Sequence, residues 1–156
     1  MQVKKISIGS DHGGYELKEA VKEFLIQKGY EVKDCGCYGL DSVDYPVFVK
    51  PVADDVVSGA ADKGIVICTT GIGASIAANK VKGIRCALCH NEHTARMTRL
   101  HNDSNILALG AAEISVFMAQ TLAEIFMTTD FSGEEKHSRR IAEISKIEAG
   151  EVVAAG

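Results

Sequence analysis

The sequence predicts an α/β fold in which a five-stranded parallel sheet carries helices on both faces. Two observations lead to this prediction. Five short apolar segments alternate with segments whose apolar residues recur every three to four positions, and alternation of this kind builds βαβ units around a parallel sheet. The length, 156 residues, is that of one domain. We therefore expect residues 1–156 to form a single domain.

Five strands are predicted from short apolar or β-branched runs. They cover residues 3–9, 30–35, 64–68, 85–89 and 105–109. The third run, Gly-Ile-Val-Ile-Cys, contains no polar residue, which is typical of a strand covered on both faces. We expect helices to pack against both sides of this strand.

Helices are predicted between the strands from apolar residues spaced three and four apart. The first helix ends at Gly29, as helices often end at glycine. The second contains Pro51, which a helix tolerates readily only in its first turn. The remaining helices are expected at about residues 71–80, 92–100, 114–126 and 135–149, and loops at residues 36–44 and 128–135.

The composition excludes several classes of protein. Lys and Arg total 17 against 21 Asp and Glu, so the net charge is −4, which argues against nucleic-acid binding. No apolar run approaches the ~20 residues that cross a bilayer, and the first residues lack the pattern of a signal peptide. The odd count of five cysteines favours reduced thiols over a disulfide framework. We expect a cytoplasmic protein that binds neither nucleic acid nor membranes.

Two segments follow predicted strands at the sheet edge where ligands bind in such folds, the carboxyl edge. In the first, Asp11 and His12 precede Gly13 and Gly14, which let a ligand approach the backbone closely. The Asp and His side chains could move protons or hold an anion. The alternative is that Asp11 caps the following helix and that His12 is solvated.

The second segment begins at Cys68 and contains Gly71 and Gly73. A thiol at the end of a strand and the start of a helix is favoured as the thiolate, and amides from Gly71 onward could hold an oxyanion. Because Ile76 replaces the third glycine of a dinucleotide fingerprint, we expect no NAD. The alternative is that Cys68 is a small buried apolar residue.

A third candidate, His101-Asn102, lies just before the fifth predicted strand. A histidine beside a hydrogen-bonding side chain can act as an acid or base. A residue that enters a parallel strand lies at the amino edge of the sheet, far from Cys68 of the same chain. A catalytic His101 would therefore most simply serve the site of a partner subunit. The alternative is a surface histidine at a helix end.

The fourth candidate is the basic cluster that opens the last predicted helix. Lys136, His137 and Arg140 could bind a phosphate group, or they could form a solvated face balanced by neighbouring glutamates. The other cysteines, Cys35, Cys37, Cys86 and Cys89, mimic a zinc ligand set. Because Cys86 and Cys89 fall on opposite faces of one predicted strand, we expect no metal site.

Five motifs in order resemble the ribose-5-phosphate isomerase B family, which includes the galactose-6-phosphate isomerase subunits of the lactose pathway. The motifs are Ser-Asp-His-Gly-Gly at residues 10–14, Asp-Tyr-Pro at 44–46, Ile-Cys-x-Thr-Gly-x-Gly with Ser-Ile-Ala-Ala-Asn-Lys at 67–80, Gly-Ile-Arg at 83–85, and His-Asn-Asp-x-Asn at 101–105. The resemblance implies a Rossmann-like three-layer α/β/α sandwich with an extra C-terminal helix that packs on a partner subunit. It also implies a homodimer or dimer of dimers with shared active sites.

The resemblance further implies a metal-free aldose–ketose isomerase that acts on a sugar phosphate without a cofactor. Cys68 would be the base that moves a proton between C1 and C2, and His101 would open the furanose ring. The implied roles of the other residues are enediolate stabilisation for Thr70, Gly71 and Gly73, contact with sugar hydroxyls for Asp11, Tyr45 and Asn102, and phosphate binding for His12, Lys136, His137 and Arg140. Some members use a glutamate at the place of Ala74, so Cys68 puts this chain in the thiolate branch.

Three departures from the family pattern concern specificity. Ala112 stands where an arginine is common, Glu134-Glu135-Lys136 replaces Gly-Gly-Arg, and Thr69 replaces a glycine. One or two lost phosphate hydrogen bonds at roughly 1.5–3 kcal/mol each could weaken phosphate binding by about tenfold to more than a thousandfold. Ribose 5-phosphate is the first expectation. The alternatives are another sugar or sugar phosphate (allose 6-phosphate, galactose 6-phosphate or a tetrulose phosphate), a non-catalytic sugar-phosphate-binding subunit, and a small zinc or redox protein.

Overall fold

The computed structural model describes residues 2–154 and shows the predicted α/β architecture. Five parallel strands form one sheet with helices on both faces, which confirms the predicted fold class. The strands are β1 (Lys5–Ser10), β2 (Glu31–Asp34), β3 (Lys63–Cys68), β4 (Cys86–Leu88) and β5 (Ile106–Gly110). The helices are α1 (Tyr15–Gln27), α2 (Tyr45–Ser58), α3 (Ile72–Ala78), α4 (Glu92–Asn102), α5 (Val116–Thr128) and α6 (Glu135–Glu148).

The strand order, β2-β1-β3-β5-β4, places the reversal of the chain's winding between β1 and β3. Ser10 pairs with Ile67 at the carboxyl ends of these two strands. Cys68 pairs with Gly110 on the other side of β3. In open parallel sheets the crevice at such a reversal is where ligands bind. The two segments selected from the sequence therefore lie side by side.

The core has two layers separated by the sheet. One layer packs α1, α4 and α5 on the face that carries Ile8, Ile65 and Leu107. The other packs α2 and α3 on the face that carries Val66 and Ala108. Every residue of β3 is buried, as its unbroken apolar run predicts. Among the described residues, none of the helices is long and apolar enough to span a bilayer.

Two sequence predictions about helices need correction. Pro51 is not in a first turn, because α2 begins at Tyr45 and has Pro46 at its start. Pro51 cannot donate a hydrogen bond to the carbonyl of Val47, four residues earlier. The helix α4 runs to Asn102 instead of ending near residue 100, so His101 and Asn102 belong to its last turn.

A buried ion cluster ties α1 to the end of β2. Lys18 is fully buried, and its ammonium donates hydrogen bonds of 2.8 and 2.7 Å to the two carboxylate oxygens of Asp34. Lys22 adds a hydrogen bond of 2.9 Å to the same carboxylate. Burial alone would raise the pKa of Asp34, but these hydrogen bonds and one from the Gly36 amide outweigh burial and lower the pKa.

Replacing Lys18 by methionine is expected to destabilise the fold by about 3 kcal/mol near pH 7, because it leaves a half-buried carboxylate with one fewer partner. The folded-state pKa of Asp34 is lowered, so its stabilising contribution is present above the ordinary value of 3.8 and is lost as the pH falls below it. The loss caused by Lys18→Met should therefore shrink in acid. Urea unfolding of the parent and the variant, near pH 7 and at a pH below 3.8, measures this difference in the free energy of unfolding.

The matched control is Lys28→Met, which removes an exposed lysine that pairs with Glu124 at 3.5 Å. Exposed pairs contribute about 0–1 kcal/mol, so this variant should unfold nearly as the parent does. Equal losses for the two variants, or a Lys18→Met loss that does not change with pH, would contradict the assigned role of the cluster.

Candidate active site

The carboxyl ends of β1 and β3 are held together by backbone contacts. The amide of Asp11 donates a hydrogen bond of 3.3 Å to the carbonyl of Ile67. A methyl group at Gly14 would lie 2.7 Å from that same carbonyl oxygen, and one at Gly13 would overlap the hydroxyl of Thr69. The two glycines are therefore required for the close approach of the two predicted ligand-binding segments.

Asp11 acts as a cap and remains able to bind a ligand. Its Oδ1 accepts a hydrogen bond of 3.0 Å from the amide of Gly14, as the capping interpretation predicts. The side chain is buried, and Oδ2 accepts no hydrogen bond from the described residues. A carboxylate oxygen with spare acceptor capacity beside the end of β3 can accept a hydrogen bond from a hydroxyl group.

His12 is not a freely solvated histidine, because a backbone group fixes its ring. Its Nδ1 accepts a hydrogen bond of 3.1 Å from the amide of Val43, in the loop that precedes α2. The neutral ring therefore carries its proton on Nε2, which can donate to an anion. The sequence carries no signal for the part played by Val43, since its contribution comes from a backbone amide.

Cys68 ends β3, is buried, and accepts a hydrogen bond at its sulfur. The donor is the amide of Gly71, 3.1 Å from Sγ. Gly71 has φ of 77° and its Cβ would lie 2.5 Å from Leu88 Cδ1, so both its conformation and its surroundings require glycine. An amide that donates to sulfur stabilises the thiolate form. The tight turn is thus what places this donor.

Thr70 and Tyr45 complete this edge of the sheet. The Thr70 hydroxyl oxygen accepts a hydrogen bond of 3.2 Å from the amide of Ile72. The Tyr45 ring lies directly against Gly73, where a methyl group would be 2.6 Å from Cζ. We call the resulting set the carboxyl-edge group: Asp11, His12, Tyr45, Cys68, Thr70, Gly71 and Gly73.

The other candidates meet at the opposite edge of the sheet. His101, at the end of α4, stacks on His137, at the start of α6, with ring centroids 4.2 Å apart and an interplanar angle of 20°. Burial lowers the pKa of His137, and the adjacent His101 lowers it further. The carbonyl of Asn102 accepts from Arg85, which directly precedes β4, at 3.0 Å. This edge is therefore the amino edge.

Polar groups remain available around the stacked rings. The side-chain amide of Asn102 and the guanidinium of Arg140 make no hydrogen bond or ion pair with the described residues, and both are exposed. Lys136 pairs with Glu134 at 3.6 Å, an exposed contact that a ligand could displace. We call His101, Asn102, Lys136, His137 and Arg140 the amino-edge group. Within one chain the sheet separates it from the carboxyl-edge group.

No triad of metal ligands is present in the described part of the chain. Cys86 contributes to the core layer of α2 and α3, whereas Cys89 contributes to the layer of α1, α4 and α5. The two thiols therefore lie on opposite faces of the sheet, as predicted. Burial raises the pKa of both.

The fold and the carboxyl-edge group define a class of protein, an α/β enzyme with its site at the winding reversal of the sheet. In this site a hydrogen-bonded thiol lies beside a carboxylate that can accept a hydrogen bond and an imidazole that can donate one to an anion. A family model described as Ribose/Galactose Isomerase matches residues 6–144. The ribose-5-phosphate isomerase B of Escherichia coli (strain K12) is 38% identical over 146 residues, which are 94% of this chain and 97% of that protein.

Two further comparisons show higher identity. A Bacillus subtilis (strain 168) protein, provisionally named a sugar phosphate isomerase, is 51% identical over 145 residues, covering 92% of this chain and 97% of that protein. The structure of Clostridium thermocellum ribose-5-phosphate isomerase B superimposes with a TM-score of 0.92 and 51% identity, covering 94% of this chain and 98% of that chain. The chain belongs to the ribose/galactose isomerase family and is an isomerase. The family resemblance found in the sequence is confirmed.

Proposed function

We propose that this isomerase interconverts ribose 5-phosphate and ribulose 5-phosphate through an enediolate, with Cys68 as the base. The observation that carries the proposal is the 3.1 Å hydrogen bond from the Gly71 amide to the Cys68 sulfur, in a turn at the winding reversal. The E. coli and C. thermocellum relatives, both named ribose-5-phosphate isomerase B, support the choice of sugar. The pentose phosphate pathway is the corresponding place in metabolism.

The carboxyl-edge group has the parts that this proton transfer needs. The Cys68 thiolate removes the proton from C2 of the open-chain aldose and returns it to C1, and the hydroxyl proton of O2 passes to O1 to complete the isomerisation. The Gly71 amide donates to the thiolate before the proton transfer and to the negative oxygen of the former carbonyl once the sulfur holds the proton, where the Gly73 amide and Thr70 also stabilise that oxygen. Asp11 and Tyr45 hold sugar hydroxyls. The reaction as proposed uses no metal and no cofactor.

The separation of the two groups in one chain supports an active dimer. His101, proposed to open the furanose ring, lies at the amino edge, away from Cys68 of the same chain. We therefore propose a homodimer, or a dimer of dimers, in which His101 of the partner subunit faces Cys68. The phosphate is then bound by His12 of one subunit together with the amino-edge residues Lys136, His137 and Arg140 contributed by the other subunit.

The surface of α6 supports the same assembly. Ile144 and Ile147 expose 47% and 65% of their surfaces. They line a cavity of about 510 Å³ between α6, α4 and β4. We propose that α6 packs on the partner subunit through these residues, because exposed apolar clusters of this kind mark interaction surfaces. The free state of all five cysteines favours a reducing compartment, and we propose the cytoplasm.

A second candidate function is the isomerisation of a different sugar phosphate. Ala112, Thr69 and Glu16 line a cavity of about 330 Å³ beside Gly13. This cavity has no cationic side chain in its lining and contains one carboxylate. A sugar phosphate with one more hydroxyl-bearing carbon than ribose 5-phosphate would fit this cavity, because a hydroxyl group there needs no cationic side chain. Allose 6-phosphate and galactose 6-phosphate are the candidates.

The test is turnover by the purified protein across ribose 5-phosphate, allose 6-phosphate, galactose 6-phosphate, a tetrulose phosphate and the free sugars. The highest kcat/KM is expected for ribose 5-phosphate. A higher value for a hexose phosphate would instead favour the second candidate. A third result is that none of these substrates is turned over until a different subunit is added. That result would replace both candidate functions with a binding subunit of a two-chain isomerase.

A further inference from the structure

A large polar cavity lies at the amino edge of the sheet, next to the first residue of β3 and the residue that precedes β4. Its volume is about 580 Å³. None of the residues assigned to the proposed isomerase reaction lines it. Its lining carries three cationic and three acidic side chains, Lys63, Arg85, Arg99, Asp62, Asp103 and Asp130. A cavity of this volume has room for a small ion together with several water molecules.

Lys63 is the buried cation of this cavity with spare hydrogen-bond donors. Only 7% of its surface is exposed, and its ammonium donates one hydrogen bond, of 2.9 Å, to the carbonyl of Phe126. An ammonium group can donate three hydrogen bonds, so two N–H groups have no partner among the described residues. No carboxylate of the described residues forms an ion pair with it. A buried ammonium without a counter-ion is costly.

A second cation increases the demand for an anion. Arg99 is 5% exposed, and its Cζ lies 5.7 Å from the centroid of the Phe126 ring, whose centroid is 5.5 Å from Lys63 Nζ. Burial, and then repulsion by Arg99, lower the pKa of Lys63 to about 8. Attraction by Asp103, Asp130 and Asp62 offsets only part of these two effects.

Two of the nearby carboxylates are already occupied. Asp62 Oδ2 accepts hydrogen bonds of 2.9 Å from the amides of Lys4 and Lys5. Asp103 accepts from Arg99 at 2.8 Å and lies 3.7 Å from Arg85. One carboxylate is thus shared between two guanidinium groups. Backbone carbonyls also accept from Arg85 and Arg99, whereas two N–H groups of Lys63 remain unused among the described residues.

We propose that this cavity binds a small tetrahedral oxyanion of the phosphate type, with the Lys63 ammonium as its principal ligand and Arg99 as a second positive charge. A charged acceptor would occupy the unused N–H groups of Lys63. This site is distinct from the phosphate position of the proposed reaction, and the proposal does not depend on the identity of the isomerase substrate.

The test follows backbone amide NMR signals of the ¹⁵N-labelled protein during a titration with sulfate. The signals of residues 62–64 should shift saturably, separately from those of residues 70–73 at the carboxyl edge. Lys63→Met should weaken the binding at residues 62–64 at least about tenfold, whereas Lys63→Arg should retain it. Lys50→Met is the matched control, because Lys50 is exposed and pairs only with Asp54.

The pH dependence gives a test on the unmodified protein. Sulfate keeps its charge between pH 6 and 10, roughly, whereas Lys63 loses its proton as the pH rises through about 8. The charged groups that face it are Asp62, Arg85, Arg99, Asp103 and Asp130. Sulfate affinity at residues 62–64 should fall above pH 8.

Two results would overturn the proposal. One is the absence of a saturable shift at residues 62–64 in the unmodified protein. The other is sulfate binding there that persists unchanged in a folded Lys63→Met variant. Repeating the titration with inorganic phosphate and with ribose 5-phosphate then distinguishes a free oxyanion from the phosphoryl group of a metabolite, by which of the two shifts these signals at lower concentration.

Discussion

Replacing Cys68 by alanine is expected to lower kcat at least about a thousandfold for the sugar phosphate that the protein isomerises, while the protein stays folded. General-base catalysis contributes roughly 10²–10⁴-fold, and the sulfur of Cys68 is the group proposed to act as the base. The Gly71 amide, 3.1 Å from the sulfur, would then face an empty position. Steady-state kinetics with circular dichroism of each variant measures both parts of the prediction.

Cys68→Ser tests the same point with less change of shape. The hydroxyl can still accept the Gly71 hydrogen bond, but it is a far weaker acid than a thiol, so kcat should again fall strongly while KM changes little. Cys86→Ala is the matched control. Cys86 lies in β4 and packs against the core layer of α2 and α3, outside the carboxyl-edge group. Retained activity in Cys68→Ala would refute the thiolate mechanism.

The second large effect is the recovery of activity when two inactive variants are mixed. Cys68→Ala and His101→Ala should each be inactive alone, because in the proposed dimer every shared site would lack one of the two groups proposed to be catalytic. A mixed dimer has one site with both changes and one site with neither. Random exchange of subunits gives half mixed dimers, so about a quarter of the parental activity should return.

This recovery needs a control that forms the same mixed dimers without restoring a site. Cys68→Ala mixed with Cys68→Ser provides it, since every site then lacks the thiol. Subunits are unfolded together and refolded to ensure exchange, and activity is measured before and after. Recovery in the control, or its absence in the test pair despite proven mixed dimers, would show that His101 does not act in the partner's site.

The strand positions were predictable because the sequence pattern and the physical environment agree. The unbroken apolar run of β3 predicted burial on both faces, and each of its residues is buried. The ends of helices were less predictable. Pro51 suggested that α2 starts later than Tyr45, but the helix continues through this proline. The free-energy cost of one missing hydrogen bond is small beside the stabilisation from packing Val49 and Val52 in the core.

The candidate site was only partly accessible from the sequence. Chain connectivity places Asp11 and Cys68 at neighbouring strand ends, and that much follows from a parallel sheet. The hydrogen bond from Val43 to His12 and the stacking of His101 on His137 depend on how a loop and the last helix pack. Neither contact is marked by a hydrophobic periodicity or a sequence motif, so neither could be predicted.

The stacked histidines also connect acidity to the anchoring of α6. The His101 ring, whose centroid lies 4.2 Å from that of His137, makes a positive charge on His137 less favourable. The folded-state pKa of His137 is lowered, so the unfolded chain binds its proton more readily, and the free energy that holds this helix in place declines as the pH falls through the ordinary value of 6.5. Mild acid should therefore release α6 locally before the sheet unfolds, which would remove Lys136, His137 and Arg140 together from the phosphate position proposed for them.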